Sequence, residues 1–157
     1  MISQAQLKEV LEYNPDTGVF TWIKRNGNVA GTKTHWGYVS IKIKYKIYQA
    51  HRLAHLYMTG NFPKNSIDHI NHIKDDNRWT NLRDATHSQN MANIKKPKNN
   101  TSGYKGVCWH KPHKKWIATI VYMKKNIYIG LYTTPQEAAE AYKKKSIELF
   151  GEFAYTE

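Results

Sequence analysis

The sequence predicts a mixed α+β protein made of two modest units joined by a basic linker. Three observations carry that reading. Apolar and polar residues alternate strictly from Val39 to Ile47. A stretch rich in Asn, Asp and His, and poor in periodicity, fills Asn61 to Ala85. Three strand-like stretches and one helical stretch then follow Gly103. With 157 residues, 40% of them hydrophobic, the chain can bury one ordinary core or two small ones.

The elements follow in order. Ser3 and Gln6 have the spacing of a capping box, with Leu7, Val10 and Leu11 as the apolar face of a short helix. Asn14-Pro15-Asp16-Thr17-Gly18 is turn composition, and Val19 to Trp22 a short strand behind it. After Gly37, Val39, Ile41, Ile43, Tyr45 and Ile47 are expected on one face, and Ser40, Lys42, Lys44 and Lys46 on the other. The hairpin should turn near Lys44-Tyr45. Gln49 to Met58 reads as a helix closed by Gly60, with His51 and His55 one turn apart. Asn61 to Ala85, on composition alone, is loop. Ser88 to Ile94 is a short helix. Residues 95–103 are basic, polar and broken by Pro97 and Gly103, which places the domain boundary there.

Beyond the linker, Tyr104 to Trp109, Lys115 to Tyr122 and Asn126 to Tyr132 read as strands separated by basic turns. Thr134-Pro135 supplies an N-cap and a first-turn proline for a helix over Glu137 to Phe150, stopped by Gly151. Its alanines suit close packing on a sheet. Trp116, Ala118, Ile120 and Leu131 are assigned to the core.

The charge has a pattern as well as a total. The 24 Lys and Arg outnumber 12 Asp and Glu, for a formal net charge of +12. No carboxylate occurs between Asp16 and Asp68, or between Asp84 and Glu137. Asp68, Asp75, Asp76 and Asp84 thus form an acidic island between two basic stretches. That arrangement suits a cation site flanked by groups that hold a phosphate backbone. One cysteine, Cys108, excludes an internal disulfide framework and a cysteine-rich zinc knuckle. There is no apolar run long enough for a transmembrane helix, and Met1-Ile2-Ser3-Gln4 lacks the layout of a signal peptide. His51 and His55 do not make an HExxH zinc site, because position 52 is Arg and no cysteine is near.

Asp68-His69-Ile70-Asn71-His72, Asn77, Asn81-Leu82-Arg83 and Ser88-Gln89-Asn90-Met91 together resemble the HNH endonuclease family. The preceding Ala50-His51-Arg52-Leu53 fits its phage and homing subgroup. The resemblance implies a ββα-metal nuclease domain over 1–94, with its core motif in 50–94. It makes Asp68 and Asn90 ligands of one divalent ion, His69 the general base and Asn81 the tie that holds a long loop. Asn90 stands where many members carry His. The chemistry agrees with these roles. Neighbours on a strand point to opposite faces, so one of the Asp-His pair can hold metal while the other faces water. Carboxylate and amide oxygens favour Mg²⁺, with Mn²⁺ as the alternative, and no zinc. His51 and Arg52 are read as support or phosphate contacts, with a plain core or surface histidine as the equal alternative at 51 and 55, and His72, Arg78 and Arg83 as phosphate clamps.

Tyr104-Lys105-Gly106-Val107, Lys115 to Ile120, Ile127 to Tyr132 and Glu137 to Tyr142 resemble the AP2 DNA-binding domain, here over 104–157. That resemblance implies a three-stranded antiparallel sheet that reads DNA, backed by a helix. By position it makes Lys105, His110, Lys114 and Tyr128 DNA contacts. Trp109, Lys111, Lys124 and Lys125 are their neighbours, and Arg52 adds a contact from the first domain. Lysine in place of arginine implies phosphate affinity with modest sequence discrimination.

The expectation is therefore a metal-dependent endonuclease that nicks or cleaves double-stranded DNA as a monomer. It would work in the cytoplasm of a bacterial host, encoded by a phage or mobile element, without a membrane partner. One alternative is a DNA-binding regulator that carries an inactive nuclease remnant. Another is an RNA-binding module that stacks bases on its aromatics.

Overall fold

A computed structural model of the chain describes residues 1–24, 26–96 and 99–155. Pro97 and Lys98 of the expected linker, and Arg25 of the first basic stretch, lie outside the described residues. Contacts divide the chain into two compact units, Met1–Ala85 and Thr86–Glu157.

In the first unit the Ser3 hydroxyl accepts from the Gln6 amide, and the Gln6 side chain accepts from the Ser3 amide. This capping box starts α1 (Gln4–Lys8). The helix is shorter than its apolar spacing predicts. Leu11 opens β1 (Leu11–Tyr13), which pairs antiparallel with β2 (Phe20–Trp22). Three further strands, β3 (Thr32–Lys33), β4 (Val39–Ile43) and β5 (Lys46–Gln49), pair antiparallel in that order.

The β4–β5 turn falls at Lys44-Tyr45, and it corrects the expected face. Ile47 pairs with Lys42 and Tyr48 with Ile41. The turn therefore resets the alternation, so that Tyr48 packs on the core while Tyr45 and Ile47 are exposed. Next, α2 (Ala50–Thr59) buries Leu53, Ala54 and Leu56 together with His51 and His55, and ends on Gly60. Asn61 to Ala85 is not all loop. It contains β6 (Ser66–His69) and β7 (Leu82–Ala85), an antiparallel pair too short to show periodicity.

The second unit begins with α3 (His87–Asn93), capped by a Thr86–Gln89 capping box. β8 (Val107–His110), β9 (Lys115–Tyr122) and β10 (Lys125–Tyr132) form a meander with β9 in the centre. Tyr104 to Gly106, expected in the first strand, are turn residues instead. α4 (Pro135–Phe150) starts on the Thr134–Glu137 capping box and packs on the sheet.

Register puts Val107, Trp109, Trp116, Ala118, Ile120 and Tyr122 on one face of this sheet. That face meets α4. Val107, Ala118 and Ile120 are buried, and the Tyr122 and Phe150 rings lie 5.4 Å apart. Leu131 pairs with Ile117 and so shares the other face, where it is only partly covered; it is not core. Among the described residues no helix is long and apolar enough to cross a membrane.

Gly106 fixes how closely α4 approaches. It has φ +71°, and a Cβ there would lie 2.1 Å from a ring carbon of Tyr142. Gly106→Ala combines left-handed backbone with overpacking. It is expected to cost about 2–4 kcal/mol in denaturant unfolding. An unchanged midpoint would mean that the Tyr142 ring moves aside freely.

Candidate active site around Asp68 and His69

Register alone separates the two central side chains. Asp68 pairs with Arg83 and His69 with Leu82, so they leave β6 on opposite faces. Arg83 donates from Nε to Asp68 Oδ2 at 2.9 Å, and its Nη2 lies 2.9 Å from the same oxygen. Both side chains are largely buried, at 6% exposure for Asp68 and 13% for Arg83. Removing one partner of such a pair would leave an uncompensated buried charge.

His69 is buried on the other face. Its Nε2 lies 3.4 Å from Asn77 Oδ1, and its ring is edge-on to His51 at 5.2 Å, with Tyr38 at 5.9 Å. Burial draws the His69 pKa below the usual imidazole value; the Asn77 bond, then the Asp68, Asp76 and Asp75 charges, oppose the shift. The ring is therefore neutral near neutral pH, as a general base must be. His51 is pushed down to about 3, chiefly by burial and then by the His69 and Arg52 charges. Among the described residues its buried Nδ1 meets no hydrogen-bond partner.

Residues 70–81 form a loop held by side chains. Asn81 Oδ1 accepts from the Asn71 amide at 3.0 Å, and Asn81 Nδ2 donates to the Asp76 carbonyl at 2.8 Å. The Asp76 carboxylate accepts from Arg78 Nε and Nη2 and from Asn71 Nδ2. Hydrogen bonding from Arg78 is the main cause that holds the Asp76 pKa at about 2. Asn77 is gripped from the β1–β2 hairpin. Tyr13 Oη donates to its carbonyl at 2.7 Å, and the Trp79 amide donates to Pro15 O at 2.9 Å. Gly18, at φ +73°, lies so close that a Cβ would sit 2.4 Å from Asn77 C and Arg78 N.

The other candidate residues have distinct places. Arg52, on α2, donates to the Pro63 and Asn65 carbonyls and so fixes the segment that enters β6. His55 pairs with Asp84 and the Asn61 carbonyl. Arg78 and Arg83, read from sequence as phosphate clamps, are engaged by Asp76 and Asp68.

Asn90 lies on α3 in the second unit, half-buried. In the same unit His110 and Tyr128 share the sheet face turned away from α4, whereas Trp109, 46% exposed, stands edge-on to Trp116. Lys111, Lys114, Lys124 and Lys125 are exposed in or beside the two hairpin turns. Lys105 differs from these, because its ammonium is turned onto the carbonyls of Met91, Ala92 and Ile94.

Sequence reasoning gave no role to Asn77 or Tyr38, and only a loose one to His51. Asn77 sat inside the quoted motif. Tyr38 carried no signal, since its part depends on ring contacts with His51 and His69, which are distant in sequence.

The Asp68 carboxylate is an oxygen donor of the kind a hard divalent ion takes; the Asn90 carboxamide, expected from sequence as the second ligand, belongs to the other unit. The Arg83 fork fits that use, because ligating carboxylates are themselves held by hydrogen bonds that set their direction. Asn81 ties down the loop that joins the two strands. Asn81→Ala removes two bonds to backbone groups and is expected to cost about 1–3 kcal/mol. Faster hydrogen exchange at the Asn71 amide would report the loosened loop, and unchanged exchange would show that Asn81 does not hold it.

The family model described as HNH endonuclease matches residues 48–92. Protein 3.8 of Escherichia phage T7 is 34% identical over 116 residues, which cover 73% of this chain and 95% of that protein. An uncharacterized HNH endonuclease of Acanthamoeba polyphaga mimivirus is 36% identical over 108 residues, 68% of this chain and 55% of its own length. The solved structure of the HNH homing endonuclease I-HmuI aligns at 23% identity with a TM-score of 0.46. That alignment spans 83% of this chain and 76% of that one. On the family match and the T7 relative, the chain belongs to the HNH endonucleases, a family of phosphodiester hydrolases.

Proposed function

We propose that this endonuclease nicks or cleaves double-stranded DNA as a monomer, through a nuclease domain of residues 1–94 and a DNA-binding sheet of AP2 type beyond residue 103. The observation that carries the reading is His69, a buried imidazole whose Nε2 faces Asn77 while Asp68 leaves the same strand on the other side. With Nε2–H donating to Asn77 Oδ1, Nδ1 is the basic nitrogen. It takes a proton from the water that attacks phosphorus, and the bond from phosphorus to the 3′ oxygen breaks. Asp68 and Asn90 would hold a divalent ion, Mg²⁺ or Mn²⁺. Bound there, the ion would offset charge on the phosphate and on the departing 3′ oxygen. Asn81 and Asn77 keep the loop and the base in place.

The sequence favours an active enzyme over an inactive remnant, because Asp68, His69, Asn81 and Asn90 occur together. A supercoiled plasmid with Mg²⁺ tests this directly. Nicking that EDTA abolishes is expected, and His69→Ala should slow it by about 10²-fold or more while DNA affinity stays within about twofold. No nicking with Mg²⁺ or Mn²⁺ would support the DNA-binding regulator instead. Equal loss of affinity in His69→Ala would make the residue structural.

DNA affinity is assigned to the outward groups of the C-terminal sheet: His110, Tyr128, Lys111, Lys114, Lys124 and Lys125, with Trp109 at the margin. Such contacts are mainly to phosphate and therefore salt-dependent. Replacing Lys124 and Lys125 together by Gln should reduce the slope of log K against log salt by about 1–2, uniformly across DNA sequences. An unchanged slope would remove this turn from the interface.

A further inference from the structure

Lys105 stands apart from the other lysines of the second unit. Its Nζ lies 2.5 Å from Ala92 O, 2.7 Å from Ile94 O and 3.3 Å from Met91 O. These are carbonyls at the C-terminal end of α3, where a helix has no amides of its own left to offer. An ammonium there supplies the missing donors and complements the negative end of the helix. The side chain is half-buried, and burial lowers its pKa to about 8. Its backbone is fixed as well. The Thr119 amide donates to Gly106 O at 2.9 Å, and Gly106 is pressed against Tyr142. The anchor thus belongs to the sheet–α4 core of the unit.

The helix needs that anchor. α3 has seven residues, well below the length at which a helix persists on its own in water. Thr86 and Gln89 cap its first turn, and Lys105 closes its last. Asn90 lies between these two ties.

We infer that Lys105 is a positioning residue for Asn90: by tying the end of α3 to the C-terminal sheet, it sets the carboxamide that holds the divalent ion. This rests on the reading of Asn90 as a ligand. It also moves Lys105 out of the group of DNA contacts that the sequence suggests.

The test is Mn²⁺ binding to the full chain without DNA, followed by water-proton relaxation, alongside DNA affinity in EDTA. Lys105→Met should weaken Mn²⁺ binding by about 10-fold or more, as loss of an outer support typically does. DNA affinity and its salt slope should stay unchanged within about twofold. Lys105→Arg, which keeps charge and donors, should restore most of the Mn²⁺ affinity. Should the Met variant not fold, Lys105→Gln is the milder change, one atom shorter and uncharged, with a loss of about 3–10-fold expected.

Asn90→Ala is measured beside them. If it leaves Mn²⁺ binding intact, the ligand reading fails, and the role of Lys105 fails with it. If Asn90→Ala weakens binding while folded Met or Gln variants do not, the positioning role alone is overturned. A fall in DNA affinity and salt slope in those variants, with Mn²⁺ binding intact, would return Lys105 to the DNA face.

Discussion

The first unit depends on how one asparagine is seated. Asn77 lies in a loop with no periodicity and little apolar content, yet it is 2% exposed. Its carbonyl takes the Tyr13 hydroxyl, its Nδ2 donates to the Asp75 carbonyl, and its Oδ1 faces His69. A buried amide left without such partners would cost about 1–3 kcal/mol for each group. The seat is equally strict about shape, since only a residue without Cβ lets the β1–β2 turn come down on the Asn77–Arg78 backbone. Tyr13 shows how dry the place is. Burial, then the Asp76 charge, pushes its phenol well above its ordinary range. The N-terminal hairpin therefore fixes the partner of the His69 imidazole.

Electrostatics in this unit are settled pair by pair. The acidic island looks in sequence like a bowl of oxygen ligands. In the fold Asp68 meets Arg83, Asp75 meets Lys33, Asp76 meets Arg78 and Asp84 meets His55. Three of those pairs involve a well-exposed partner, so solvent screens them and they add little. The fourth is buried, so its geometry is strict: breaking it costs about 3–5 kcal/mol, whereas forming it contributes little net stability. Rigidity at Asp68 is the useful product. A carboxylate whose direction is already fixed loses little freedom when it takes on a ligand's task.

How much of this was legible in the sequence varied with the kind of signal. The capping box at Ser3 and the N-cap with its proline at Thr134 read directly, because they depend on residues close in sequence. Helix α2 and the C-terminal meander showed their periods and turn residues. The face of Ile47 did not, since a turn resets the phase and alternation alone cannot show where. β6 and β7 were hidden for another reason. Four residues in each strand carry too few repeats to show a period, and a family motif was the only sign of them. Long-range contacts such as Tyr13 with Asn77, or Arg52 with the Pro63 and Asn65 carbonyls, leave no mark in local pattern.

The sharpest limit concerns charge. A formal charge of +12 counts every lysine and arginine alike, but the fold sorts them by what lies within reach. Arg52 and Lys105 satisfy carbonyls, and Lys33, Arg78 and Arg83 answer carboxylates. Lys42, Lys44, Lys46, Lys111, Lys114, Lys124 and Lys125 remain exposed. Counterion release on a polyanion comes from cations that can reach phosphates, so the footprint on a nucleic acid is narrower than the composition implies. These seven lysines lie on or beside the β4–β5, β8–β9 and β9–β10 hairpin turns, so whatever they offer a polyanion comes from turns and not from helix ends or ion-paired loops.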